Sequence, residues 1–116
     1  MNGLPKVLEE RRSAERCELD ILVEAGNPWF QGHFPQFAIL PGVVQIGWAE
    51  HYARTLYGFE AGIASLEQVK FKRPILPGAR LMLTLKPDLT ARKLRYEYRD
   101  EQTSYSAGVL NFRAGP

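Results

Sequence analysis

The chain has 116 residues, 45% of them hydrophobic and 24% charged, which is typical of one folded globular domain over residues 1–116 and excludes a disordered protein. Fifteen Lys and Arg against thirteen Asp and Glu give a net charge of +2, too small to indicate a nucleic-acid partner, and none is expected. No apolar run approaches the roughly 20 residues that a membrane-spanning helix needs, so we expect no membrane insertion.

The single cysteine, Cys17, excludes an internal disulfide and favours a cytoplasmic location. The first residues of the sequence lack the apolar core of a signal peptide, which favours the same compartment. The pattern around Cys17 favours a small residue in a strand over a reactive thiol.

The first third of the chain predicts two strands and a loop. Residues 4–12 are consistent with a short edge strand, and residues 16–25 alternate between apolar and polar side chains, which indicates a half-buried strand. Gly26, Asn27 and Pro28 end that strand, and residues 29–40 form a long aromatic loop of the kind that often carries function. The apolar residues that share one face of the second strand are Cys17, Leu19, Ile21 and Val23.

A hydrophobic helix is predicted over residues 42–57. It cannot run back through Pro41, because proline lacks an N–H and disfavours helical geometry at the residue before it, and Gly58 ends it. Its apolar side chains lie nearly all round, so the helix should form the core. Four residues spaced three or four apart share its more polar face: Gly47, Glu50, His51 and Arg54.

The rest of the chain predicts strands over residues 63–73, 80–86, 93–100 and 103–113, the last three as an antiparallel meander. The expected fold class is therefore α+β, with one long hydrophobic helix wrapped by a curved antiparallel sheet of about five or six strands. Such a helix needs cover on more sides than one sheet offers, so we expect a homodimer or a higher even oligomer.

Charge is uneven, because residues 70–99 carry nine Lys and Arg against two acidic residues. Alternation along the strands favours solvated side chains on the outer face of the sheet. The alternative is a docking patch for an acidic partner.

The 29–40 loop holds His33 close to the start of the predicted helix. The first N–H groups of a helix have no partner within it and attract negative charge or a polarised carbonyl. A histidine titrates near neutral pH, so His33 beside a carbonyl site is a candidate proton-transfer group. The alternative is a purely structural loop histidine.

Two segments carry a resemblance to a known family. The segment WFQGHFPQFAILPGVVQIGWA resembles the signature of the bacterial 3-hydroxyacyl-acyl-carrier-protein dehydratases, hotdog-fold enzymes of fatty-acid synthesis. The segment VKFKRPILPGARLMLTL resembles the strand–turn–strand that follows the helix in that family. The resemblance extends over residues 4–113, and the Gly-Trp-Ala ending of the first segment is similar to the small dehydratase-like proteins of aryl-polyene pathways.

The resemblance implies a lyase site. His33 would be the base that removes the C2 proton of a 3-hydroxyacyl thioester, and the N–H of Gly42, with that of Val43, would hold the thioester carbonyl. Phe34 and Gly47 would complete the substrate-binding site, and the acyl chain would lie in a tunnel between protomers. The family needs no metal and no organic cofactor, so none is expected here.

The same resemblance implies an acidic partner, the acyl carrier protein that bears the 3-hydroxyacyl chain. It would dock on basic residues such as Lys70, Lys72 or Arg73.

The sequence departs from the family at the second catalytic group. The family has Glu or Asp fourteen residues after the histidine, and here that position is Gly47. Glu50 lies one helical turn further on roughly the same face and is the candidate replacement acid, directly or through water. The alternative is that Glu50 forms an ion pair with Arg54, and His51 is expected to be an ordinary helix-face residue.

Three functions follow. The first is a 3-hydroxyacyl-[acyl-carrier-protein] dehydratase-like enzyme of fatty-acid or polyene lipid biosynthesis. The second is an acyl-thioester hydrolase, with Gly47 leaving space for water. The third is a catalytically lapsed protein that binds acyl chains or serves as a heterodimer partner. The absence of the acid at Gly47 favours this third function.

Overall fold

The structure, a computed structural model, describes residues 3–31 and 38–115. Within them the chain forms one α-helix, α1 (Gly42–Tyr57), with the bounds that the sequence predicts, and a short 3-10 turn over Pro28–Phe30. Six strands accompany the helix: β1 (Lys6–Arg12), β2 (Cys17–Leu22), β3 (Ile63–Phe71), β4 (Arg80–Asp88), β5 (Lys93–Arg99) and β6 (Ser104–Phe112).

The six strands form one sheet in the order β1-β2-β4-β5-β6-β3, and every neighbouring pair is antiparallel. The predicted meander is confirmed as β4–β5–β6, and the predicted N-terminal edge strand is confirmed as β1. After α1 the chain crosses to the far edge, where β3 pairs only with β6 among the described strands. The expected α+β class is therefore confirmed.

The strand boundaries differ from the prediction by a few residues, most informatively at the end of β4. Residues 87–91 are expected as a loop, yet β4 continues through Pro87, which lies opposite Leu94 on β5. Proline cannot donate a hydrogen bond to a ladder. It is tolerated here because the ladder between β2 and β4 ends at Cys17 and Leu85, so Pro87 has a strand on one side only.

The core lies between one face of α1 and the inner face of the sheet. In β2 and β5 every second side chain is buried, as the alternation predicts, and Cys17 is one of them. Burying each large apolar side chain contributes about 1.5–3 kcal/mol, so this contact is the main stabilising interaction. The buried residues of α1 recur with helical spacing: Val44, Gln45, Trp48, Ala49, Tyr52 and Ala53.

The opposite face of α1 is only partly covered by the described residues. Val43 is 78% exposed, although its neighbour Val44 is buried. The expectation of a second copy rests on this open face and stays a prediction. At its other end the helix stops as expected, since Gly58 adopts a left-handed conformation (φ 75°) and its N–H donates to the carbonyl of Arg54.

The outer face of the sheet is charged. Arg11 on β1 contacts Glu9, Glu18 and Asp20, and the bonded guanidinium lowers the pKa of Asp20. These groups are exposed or half-buried at the surface, so each pair contributes little to stability. The basic residues of the 70–99 segment are mostly exposed, which is consistent both with solvated positions and with a docking patch. No helix in the described ranges is both long and apolar enough to span a bilayer.

Two tyrosines of β5 point into the core and differ in how their hydroxyls are satisfied. The Tyr98 hydroxyl donates to the backbone carbonyl of Gln45 at 2.6 Å. The Tyr96 hydroxyl is buried without a hydrogen-bond partner in the described part of the chain, and burial raises the pKa of Tyr96 to about 12. An unpaired buried hydroxyl costs free energy, because its bonds to water in the unfolded chain are not replaced.

Replacing Tyr96 with Phe should therefore raise the free energy of unfolding by about 1 kcal/mol, whereas Tyr98→Phe should lower it by a similar amount. Urea unfolding followed by circular dichroism measures both variants against the parent chain. Equal losses in the two variants would mean that the Tyr96 hydroxyl has a partner after all.

Candidate functional site

The helix start has no side-chain cap from the described residues. Pro41 is the N-cap residue in an extended conformation, and no described side chain accepts from the first N–H groups. The first backbone amides that turn inward are those of Val44 and Gln45, which both donate to the carbonyl of Pro41. The N–H groups of Gly42 and Val43 precede them and point out of the helix, where they can bind an anion or a polarised carbonyl.

An aromatic ring covers the first helical residue. A Cβ on Gly42 would lie 2.6 Å from Cζ of Phe71, so no side chain fits at position 42 without displacing that ring. Phe71 is the last residue of β3 and remains 53% exposed. It therefore forms one wall beside the open amides. Sequence reasoning missed Phe71, because the contact joins residues 29 positions apart.

A buried polar network lies under the same turn. Gln45 is 3% exposed; its Nε2 donates to the carbonyl of Leu40 at 3.2 Å, and its Oε1 accepts from the Ser106 hydroxyl at 2.6 Å. The Leu40 N–H donates in turn to the carbonyl of Ile75 at 2.8 Å. Sequence analysis missed this network too. The one available signal was a glutamine among the apolar residues of the first helical turns.

His33 and Phe34, the predicted base and one predicted substrate-binding residue, lie outside the described residues. The segments on either side of them are held in place. Asn27 caps the 3-10 turn through Oδ1, which accepts from the Trp29 N–H, and its Nδ2 donates to the carbonyl of Gly3. On the other side, Leu40 is bonded to Ile75 and Gln45.

Gly47 and Glu50 line one shallow depression of about 310 Å³ on the open face of α1, together with His51, Arg54 and Thr55. The predicted shared face is therefore confirmed.

The predicted ion pair between Glu50 and Arg54 is wrong. Oε2 of Glu50 accepts from the backbone N–H of Ile63 at 3.3 Å, and Nη2 of Arg54 donates to the carbonyl of Glu60 at 3.2 Å. Both side chains find backbone partners because the chain after the helix runs back beside it. Among the described residues only one carboxylate oxygen of Glu50 is engaged.

His51 is a helix-face residue, as predicted. Its ring meets that of Tyr52 edge-on, with centroids 5.1 Å apart. Partial burial lowers the pKa of His51 below its usual 6.5.

Lys70, Lys72 and Arg73, the predicted docking residues, are exposed at and beyond the end of β3. The guanidinium of Arg73 lies 5.6 Å from the ring centroid of Tyr105, a cation–π arrangement. Over residues 3–31 and 38–115 no group of three or more His, Cys, Asp or Glu side chains is placed to ligate a metal ion.

Comparison with known proteins gives the family. The model of the ApeI-like family, described as ApeI dehydratase, matches residues 9–109. The chain belongs to this family. It is also 33% identical over 91 residues to the 3-hydroxyacyl-[acyl-carrier-protein] dehydratase FabZ of Staphylococcus aureus strain JH9. That match covers 72% of this chain but only 61% of the relative.

Solved structures of similar shape give the fold. One chain of the dehydratase heterocomplex ApeI:P from Xenorhabdus doucetiae is 32% identical to this chain, with a TM-score of 0.86. The match covers 94% of this chain and 98% of that one. The dehydratase domain of a mycocerosic acid synthase-like polyketide synthase is 15% identical with a TM-score of 0.69, covering 100% of this chain and 41% of that one, which supports the fold alone. The ApeI-like chain has the hotdog fold that the sequence resemblance implies.

The lowered pKa of His51 predicts a pH-dependent stability. The unfolded chain binds this proton more readily than the folded chain, so the contribution of neutral His51 is fully present above about pH 6.5 and is lost as the pH falls through the folded pKa. His51→Gln should therefore reduce the decrease in unfolding free energy between about pH 7.5 and pH 5. Urea titrations at both pH values measure this difference, and an unchanged decrease would contradict it.

Proposed function

We propose that this ApeI-like chain is a 3-hydroxyacyl-[acyl-carrier-protein] dehydratase, a lyase that converts a 3-hydroxyacyl thioester to the enoyl thioester in fatty-acid or polyene lipid biosynthesis. The observation that carries the proposal is the helix start at Gly42, which no side chain of residues 3–31 and 38–115 caps, in a chain whose family is that of the ApeI dehydratases. We place the enzyme in the cytoplasm, where its one cysteine stays reduced.

In the proposed reaction, the thioester carbonyl accepts hydrogen bonds from the N–H groups of Gly42 and Val43. Negative charge develops on this oxygen when the C2–H bond breaks, and amides at a helix N-terminus stabilise such charge. His33 takes the C2 proton. The electron pair of the C2–H bond forms the C2–C3 double bond, and the C3–O bond breaks to release water once the hydroxyl has received a proton.

We assign that last proton to Glu50. Gly47 has no side chain, and the carboxylate of Glu50 reaches the same depression from one helical turn further on. The bond from the Ile63 N–H occupies Oε2 and leaves Oε1 for a substrate or a bridging water. Gly47 then contributes space beside the reacting carbon instead of an acid.

The proposed assembly is a homodimer joined at the β3 edge. The edge strand β1 is protected against pairing with another chain, because five of its seven residues are charged, whereas β3 has two charged residues among nine. Near β3 lie three exposed apolar side chains: Leu66 (45%), Phe71 (53%) and Val43 (78%). A second copy that pairs along β3 would cover them and the open face of α1.

The proposed substrate carrier is an acyl carrier protein, docked on Lys70, Lys72 and Arg73. These residues flank Phe71, whose ring touches Gly42, so a thioester delivered from this surface would meet the helix start first. Acidic partners are steered to such a patch by charge.

A second candidate function is that of a partner subunit without activity of its own. The missing acid at Gly47 favours it, and the similar chain from X. doucetiae belongs to the dehydratase heterocomplex ApeI:P. An acyl-thioester hydrolase is a third possibility, and one assay separates all three.

The assay supplies 3-hydroxyacyl carrier-protein thioesters to the purified chain. We expect enoyl thioester as product and, in His33→Ala, a loss of at least about 10²-fold in kcat, because general-base catalysis contributes typically 10²–10⁴-fold. Free acid would identify a hydrolase, and no turnover by the parent chain would favour the partner-subunit function. An unchanged rate in His33→Ala would remove His33 from the mechanism.

Glu50→Gln tests the acid separately from the fold. Glutamine keeps an oxygen that can accept from the Ile63 N–H but cannot donate an acidic proton, so kcat should fall roughly 10²-fold while stability changes little. Glu50→Ala is the matched control, since it should lose both the rate and the bond to Ile63. A rate near that of the parent in Glu50→Gln would make Glu50 purely structural.

A further inference from the structure

We propose that Gln45 is a positioning residue that sets the direction of the Gly42 and Val43 amides, an inference that rests on the proposed function. Gln45 does not reach the substrate. It acts through the Leu40 carbonyl, which its Nε2 holds at 3.2 Å.

The orientation of the Gln45 amide follows from its two partners. The Leu40 carbonyl can only accept a hydrogen bond, so it must face the NH2 group. The Ser106 hydroxyl then donates to Oε1 at 2.6 Å. Gln45 and Ser106 are both buried, so water does not replace either bond.

The bond from Gln45 to Leu40 closes a ring over the helix entry. The segment inside this ring is Pro41-Gly42-Val43-Val44, which carries the Gly42 and Val43 amides. Both ends of the ring are tied to other parts of the fold. The Leu40 N–H donates to Ile75, and the backbone carbonyl of Gln45 accepts from the Tyr98 hydroxyl at 2.6 Å.

The hydrogen-bonded ring matters because stabilisation of the thioester carbonyl depends on the direction of the Gly42 and Val43 N–H groups. A displacement of about 1 Å in a group that binds the reacting atoms can cost on the order of 10²-fold in rate. Contacts to the developing oxyanion strengthen in the transition state, so losing their alignment lowers kcat more than it raises KM.

The test is Gln45→Met, which keeps the length of the side chain and removes the donor to Leu40. We expect kcat to fall about 10- to 100-fold, with KM within about 3-fold of the parent value. The matched control is Ser106→Ala, which removes the second bond of the network but leaves the donor to Leu40. Its kcat should stay within about 3-fold of the parent value, even where its melting temperature falls.

A second readout does not depend on activity. In ¹⁵N-labelled protein the amide resonances of Gly42 and Val43 should shift in Gln45→Met and stay near the parent positions in Ser106→Ala. Should Gln45→Met fail to fold, Gln45→Leu carries the same test, because leucine is similar in size and likewise has no hydrogen to donate to Leu40.

The outcomes separate this inference from the proposed function. A parent chain that gives no enoyl product overturns the function, whereas shifted Gly42 and Val43 resonances still support the positioning role. An active parent with equal kcat in Gln45→Met and Ser106→Ala, and with unshifted amides, overturns the positioning role alone.

Discussion

Burial of one face of α1 against the inner face of the sheet is the interaction on which the rest of the structure depends. Its apolar part, centred on Trp48, supplies the stabilisation. Its polar part follows from the same burial, because a helix start pressed against strands brings backbone groups into a region without water. Tyr98 and Ser106 supply hydroxyls from the sheet, and Gln45 connects them to the residues before the helix.

That arrangement places the carbonyl-binding amides and the proton donor of the proposed site on successive turns of one helix. The inner side of the first turn is fixed by hydrogen bonds, whereas its outer amides stay open for a ligand. One turn beyond, the polar face around Gly47 is half-buried in the single chain and would be enclosed in the proposed dimer. A chain with Gly47 in place of the acid can keep the carbonyl-binding half of the site intact while the proton-donating half changes.

Much of the fold could be predicted from the sequence, because local patterns decide it. Pro41 and Gly58 mark the ends of α1, and period-two alternation marks β2 and β5. Prediction failed at two points, where tertiary contacts decided the structure against the local pattern. Alternation could not tell that β4 loses a neighbour at Cys17 and so tolerates Pro87, and spacing favoured Arg54 as the partner of Glu50 although a backbone N–H was closer.

The candidate site could be predicted only where a motif carried it. Gly42 and Val43 follow from the Pro-Gly step that begins α1, and no side chain in the described part of the chain caps the helix there. Phe71, Ser106 and Leu40 could not be predicted, because each acts through a contact made by tertiary packing. The pairing of Gln45 with Ser106 joins residues 61 positions apart and depends on the register between β5 and β6.

The ring of Phe71 on Gly42 has an evolutionary consequence. A methyl group at position 42 would demand a smaller side chain at position 71, and a smaller side chain there would uncover the amides beside it. We therefore expect substitutions at positions 42 and 71 to occur together in related sequences, or at neither position. Position 71 also lies on the edge strand β3, where a second chain would pair. A substitution there would therefore change both the subunit interface and the shape of the site beside Gly42.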